Sequence, residues 1–269
     1  MKKLYPYLIK YGLTKKFLIW TLEPRFDLNF SSIYKWLGIF KVHVMNVYTG
    51  DVFISNLSIC VGKITEKLTL LPRDYVIRRR NVAALMSHYQ GINTKPIYRF
   101  GSNIDLISIR TKIAIEGYRQ GIIDIYGKGW PRGMSKEDSR DGAWTNRKQD
   151  ILSDYAFNLC FENTASPNYV TEKIWDSIRS YSLPIYYGKG TNIYDLFPND
   201  SFIDYALFES PQQLFSFIMN LSDEEYIDRM NRCIEVFNKI SKDNEYIYKS
   251  ERQRVLQAIV HKVDEIFGR

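Results

Sequence analysis

Cysteine is scarce in this sequence. Cys60, Cys160 and Cys233 are the only three in 269 residues; they lie far apart and form no CxxC pair. An odd, widely spaced set excludes a disulfide framework, and with only His43, His88 and His261 beside it, a structural zinc site as well. Long apolar runs are missing too: nothing approaches the roughly 18 apolar residues that span a bilayer. The start, MKKLYPYLIKYGLTKKFLIW, is basic, but Pro6 and Gly12 interrupt it and no small-residue cleavage site follows, so it makes a poor signal peptide. Internal repeats and low-complexity tracts are absent. These absences fit a reducing, cytoplasmic setting that leaves room for peripheral contact with an anionic membrane.

What is present is an ordinary globular composition, 45% hydrophobic and 25% charged, which argues against disorder. The length suits two modest domains rather than one small core. Aromatic content is high, with 20 Tyr, and tyrosine serves both core packing and contact with sugars or bases. A net charge of +7 favours acidic partners, phosphorylated small molecules among them. The charge is dispersed: its densest cluster is Arg78, Arg79 and Arg80, too small for a nucleic-acid footprint, so no nucleic-acid partner is expected.

The second half is the more legible. NVAALMSH (81–88) has strand length, and IDLISIRTKIAIEGYRQ (104–120) carries apolar residues at helical spacing. GIIDIYGKG (121–129) reads as a strand closed by glycines, and the polar stretch 130–150 as a long surface loop. YAFNLCFEN (155–163) reads as a buried strand with a buried free thiol at Cys160. In VTEKIWDSIRSY (170–181), Val170, Ile174, Ile178 and Tyr181 share one helical face. LPIYYG (183–188) and SFIDYA (201–206) are further strands; 210–220, 223–240 and 246–267 are helical. This alternation predicts an α/β fold with a parallel sheet and crossover helices. Before residue 80 the pattern is weaker, with strand character at 16–24, 40–48 and 51–62.

Open parallel sheets bind ligands beyond the carboxyl ends of their strands. The segment FENTASPNYVTEKIWDSI (161–178) lies at such an end and runs into a helix, whose first N–H groups and positive dipole end suit phosphate oxygens. Lys173 in the first turn is unfavourable against that dipole unless an anion sits there. Glu172 could accept ribose hydroxyls or cap the helix. Asn163 and Tyr169 could hold a sugar or base edge, and Glu162 could support the loop from beneath.

YAFNLCFENTASPNYVTEKIWDSIRSYSLPIYYG (155–188) resembles the donor-binding motif of the family 10 glycosyltransferases, the α-1,3/1,4-fucosyltransferases, and the likeness continues through SFIDYALFESPQQL (201–214). Upstream it thins. ALMSHYQGIN (84–93) stands where that family has a strand followed by Ser-Asn, and His88 departs from the Asn. SIRTKIAIEGY (108–118) resembles the family's helix with an N-terminal Arg, and WTLEPRF (20–26) its strand ending in Glu.

The resemblance implies a GT-B-like arrangement of two Rossmann-like domains facing a cleft, the N-terminal one small. Residues 1–80 would form the acceptor side, 81–245 the GDP-sugar donor-binding domain, and 246–269 a packing helix. It implies inverting transfer of fucose from GDP-fucose to a glycan hydroxyl, such as an N-acetylglucosamine-type unit of a bacterial lipopolysaccharide. Glu23 would be the base and Arg110 and Lys173 would neutralise the departing diphosphate, with Asn163, Tyr169 and Glu172 as further donor contacts. No metal or other cofactor is required on this scheme. The alternatives are a related enzyme using another nucleotide sugar and a nucleotide-sugar-binding protein without turnover.

Overall fold

The computed structural model of the chain describes residues 5–21, 24, 33–36, 39–46, 64–77, 79–90, 95–138 and 144–268. Glu23, Arg78, Cys60 and the strand expected at 51–62 lie outside them. The described part of the N-terminal region forms a three-stranded sheet from β1 (Phe17–Trp20), β2 (Ile33–Trp36) and β3 (Phe40–Met45), in the order β1-β3-β2. β1 runs parallel to β3 and β2 antiparallel. The short helix α1 (Tyr5–Tyr11) buries Leu8 against Val42 and Val44 of β3.

The rest of the chain builds a five-stranded sheet. Its strands are β4 (Val82–Leu85), then, after a two-stranded hairpin of β5 (Tyr98–Arg99) and β6 (Ser102–Asn103), β7 (Ile123–Tyr126), β8 (Phe157–Leu159), β9 (Leu183–Tyr186) and β10 (Ile203–Asp204). The order is β10-β9-β8-β4-β7 and every pair is parallel. β8 and β9 are buried at every position, as expected of parallel strands covered on both faces, which therefore read as continuous apolar runs. The first strand of the sheet, β4, has its successor β7 on one side and β8 on the other. The connections thus reverse direction between β4 and β8, and a crevice opens there beyond the carboxyl ends.

The helices are α2 (Ile107–Arg119), α3 (Trp144–Ser153), α4 (Glu172–Arg179), α5 (Pro211–Asn220), α6 (Asp223–Lys242) and α7 (Asn244–Phe267). The expected strands and helices of the second half are present, the last strand shortened to Ile203–Asp204 before a 3₁₀ turn at Tyr205–Leu207. Two expectations need correction. Residues 144–150, read as part of a surface loop, are the first turns of α3. The apolar anchors of that helix, Ile151 and Leu152, lie beyond the polar stretch. Its buried Lys148 is neutralised by Asp176 of α4 at 2.5 Å, so polar sequence concealed a packed helix. Tyr181, grouped with the α4 stripe, lies past the helix end in a left-handed conformation at φ 56°.

Helix α7 lays Val255, Ala258 and Ile259 against Met45 of β3 and Tyr169 of the loop before α4. This small cluster joins the N-terminal sheet to the loop at the crevice. Cys160 and Cys233 are free and buried, as expected for Cys160. Among the described residues no helix is long and apolar enough to cross a membrane.

Candidate functional site

Strand β8 runs on through Cys160 and Phe161 to Glu162, whose side chain is buried. A buried carboxylate must be paired and hydrogen-bonded, or the fold bears a large desolvation cost. Here it has four donors. Oε1 accepts from the Thr171 N–H at 2.7 Å, the Thr171 hydroxyl at 2.9 Å and the Tyr186 hydroxyl at 3.3 Å; Oε2 accepts from Lys173 Nζ at 2.7 Å. Lys173 Nζ also donates to Thr171 Oγ1 at 2.6 Å. Glu162 thus fixes both the cap residue of α4 and the lysine in its first turn, which is the support from beneath that its position suggested.

Thr171 is the N-cap of α4, extended at φ −94° and ψ −164°, yet its hydroxyl makes no capping bond. It is committed to Glu162 instead. The first N–H groups of a helix have no intrahelical acceptor, so those of α4 are left without this usual partner.

Arg110, in the first turns of α2, is 5% exposed. Its Nη1 donates to the Phe161 carbonyl at 3.1 Å, while the buried Nε has no partner among the described residues. Burial pulls the guanidinium below its ordinary range, against opposition from Tyr89, Glu162, Tyr169 and Asp105. Burial would lower Lys173 too, but Glu162 and Glu172 outweigh it and hold the ammonium above its usual value. For Glu172 burial pushes upward, and the charges of Lys173 and Lys148 prevail, holding the carboxyl at about 2. Half of that side chain is exposed, so solvent screens part of the field.

The loop between β8 and α4 is pinned at both ends. Leu106 N–H donates to Asn163 O at 3.1 Å and Ala165 N–H to Ile104 O at 2.8 Å, tying the loop to the start of α2. Farther on, Asn168 takes a left-handed conformation at φ 63°, and its N–H donates to Asn192 Oδ1 at 2.9 Å. Tyr169 follows and is buried in the cluster with Met45 and α7.

Five of the six residues expected at the site therefore converge: Arg110, Asn163, Tyr169, Glu172 and Lys173 gather around Glu162 at the crevice between β4 and β8. Glu23 is outside the described residues. Sequence reasoning did not single out Thr171, although it stands inside the quoted motif, nor Asn192, for which no local signal exists because it lies 24 residues beyond the turn it holds. The charges are balanced, with Arg110 and Lys173 against Glu162 and Glu172. An anion here would be held by directed donors, not by an excess of positive charge: the guanidinium, the ammonium and the first N–H groups of α4.

The family model for glycosyltransferase family 10 (fucosyltransferase), C-terminal part, matches residues 92–232, half of the chain. An α-(1,4)-fucosyltransferase of Arabidopsis thaliana is 38% identical over 88 residues, which are 33% of this chain and 22% of that protein. The α-(1,3)-fucosyltransferase FucT of Helicobacter pylori is 39% identical over 85 residues, 31% of this chain and 18% of that protein. The matches thus span about a fifth of the length of these relatives. In fold, the chain is similar to the β-glucosyltransferase of phage T4, with a TM-score of 0.50 at 11% identity over 91% of this chain and 77% of that one. The α/β architecture, with its parallel five-stranded sheet, is accordingly of the Rossmann-like GT-B kind. With the family model matching half of its length, the chain belongs to glycosyltransferase family 10, the fucosyltransferases.

Proposed function

We propose that this chain transfers fucose from GDP-fucose to a hydroxyl of a glycan acceptor, with inversion at the anomeric carbon. The names of its relatives, α-(1,4)- and α-(1,3)-fucosyltransferases, support the transferred group. The observation that carries the reading is the Glu162–Thr171–Lys173 network, which holds an ammonium beside the uncapped start of α4, with Arg110 buried alongside. In the reaction the bond from the sugar's anomeric carbon to the diphosphate oxygen breaks as the bond to the acceptor oxygen forms. Arg110 and Lys173 take up the charge of the departing GDP. Glu23 receives the acceptor proton, a role worth on the order of 10²–10⁴ in rate for a positioned base. These two cations and the helix end neutralise the leaving group without a metal ion, so chelation with EDTA leaves turnover intact. The acceptor is an N-acetylglucosamine-type unit of a bacterial surface glycan, fucosylated through an α-1,3 linkage.

The test is transfer of labelled fucose from GDP-fucose to an acceptor array, run with wild type and Glu23→Gln. The variant keeps GDP affinity and loses about 10²-fold or more in transfer. Unchanged turnover removes Glu23 from the mechanism, and GDP binding without any turnover of GDP-fucose leaves a binding protein in place of an enzyme.

A further inference from the structure

His88 is held in a way that exposes one unused polar atom. The pairing of β4 with β7 continues past the strands: Met86 N–H donates to Tyr126 O at 2.9 Å and His88 N–H to Lys128 O at 2.8 Å. Gly127 and Gly129, at φ 134° and 81°, let the following loop lie directly on residues 86–88. A Cβ on either would stand 2.4 Å from Met86 O or 2.6 Å from His88 O. Trp130 then folds over, donating from Nε1 to Met86 O at 2.8 Å, with its ring centre 4.8 Å from that of His88. His88 Nδ1 lies 3.1 Å from the Gly129 carbonyl. A carbonyl oxygen only accepts, so Nδ1 carries the hydrogen, and in the neutral ring Nε2 is a lone-pair acceptor.

No described residue bonds to Nε2, and the ring is half-buried. Residues 86–88 follow β4 beyond its carboxyl end, the edge at which the crevice between β4 and β8 opens. With the ring neutral, Nε2 takes an O–H or N–H partner. Among the groups that a nucleotide sugar and a glycan bring to the cleft, sugar hydroxyls meet that need most abundantly.

We propose that His88 Nε2 accepts a hydrogen bond from a sugar hydroxyl held in the crevice, making His88 a specificity-determining residue of this chain. The inference rests on the fucosyl-transfer reading above. His88→Asn and His88→Gln separate the two edges of the ring. The Asn amide can still donate to Gly129 O but offers nothing where Nε2 stands. The longer Gln brings its amide oxygen to the Nε2 position.

Melting temperature, GDP affinity by calorimetry, and KM for GDP-fucose and for N-acetyllactosamine are measured in each. The expected result is a roughly fivefold rise in one KM for His88→Asn, with GDP affinity and melting temperature unchanged and His88→Gln close to wild type. A rise in the KM for GDP-fucose identifies the hydroxyl as the donor's, and a rise for N-acetyllactosamine as the acceptor's. The inference fails if His88→Asn matches wild type in both constants, or if GDP affinity falls with the substitution, since the nucleotide is then the group recognised. A wild-type chain that binds neither GDP nor GDP-fucose overturns the functional reading and this inference together. Normal turnover with an unaffected His88→Asn overturns this inference alone.

Discussion

Helices α2 and α4 both start at the carboxyl edge of the five-stranded sheet, and their first turns are completed in opposite ways. At α2, the Asp105 carboxylate accepts from the Ile107 and Ser108 N–H groups, both at 3.3 Å, and from the Ser108 hydroxyl at 2.7 Å. A negative charge already occupies that helix end, as the macrodipole favours. At α4 the side chain in the capping position is turned away to Glu162, and the first turn carries the half-exposed Glu172 with Lys173 beside it. The contrast teaches which of two adjacent helix ends is available to an anion. At the start of α2 the Asp105 carboxylate takes the first N–H groups; at the start of α4 the capping hydroxyl is drawn off by the buried Glu162.

Three substitutions test that contrast. The largest effect is expected from Glu162→Ala, which removes the nearer of the two carboxylates beside Lys173 and leaves the Thr171 N–H unsatisfied. Urea denaturation should show a loss of about 3–5 kcal/mol, as for breaking a buried pair from one side. A loss below about 1 kcal/mol would mean that the network does not organise the start of α4.

Next in size is Asp105→Ala at the closed end. It should cost about 1 kcal/mol in the same denaturation experiment, an ordinary cap effect, and leave GDP affinity unweakened. If GDP affinity fell with it, the start of α2 would belong to the anion seat and the contrast would dissolve.

The smallest effect concerns acid. Glu172 is held at about 2 against an ordinary 4.5, so its ionised form stabilises the fold above the ordinary value. That contribution is lost as pH falls from 4.5 through about 2. Because the side chain is half exposed, the stability curve of Glu172→Gln should be only slightly flatter than wild type across that window. Parallel curves would show that Lys173 and Lys148 do not act on it.

The sequence was most legible where strands are buried on both faces and where the motif is contiguous. FNL and LPIY read as strands because, Asn158 apart, they carry only apolar residues. Residues 161–173 could be placed at a strand-to-helix junction, and five expected site residues do gather there. What escaped the sequence depends on partners far along the chain. The first turns of α3 looked like loop because Lys148 is polar until Asp176, 28 residues later, neutralises it. The left-handed Asn168 is held by Asn192, and Tyr169 is covered by α7, some 90 residues on. Thr171 was in plain view, but its departure from the usual capping role follows from the geometry of Glu162. Glu23 remains an assignment by resemblance alone.

Calorimetric titration of GDP into wild type, Arg110→Ala and Lys173→Ala tests the central claim, that the open start of α4 and its two flanking cations form the diphosphate seat. The account predicts measurable binding to wild type and affinity at least about tenfold weaker in each variant, the scale of a charge-assisted bond to phosphate. Wild-type affinity in both variants would contradict it.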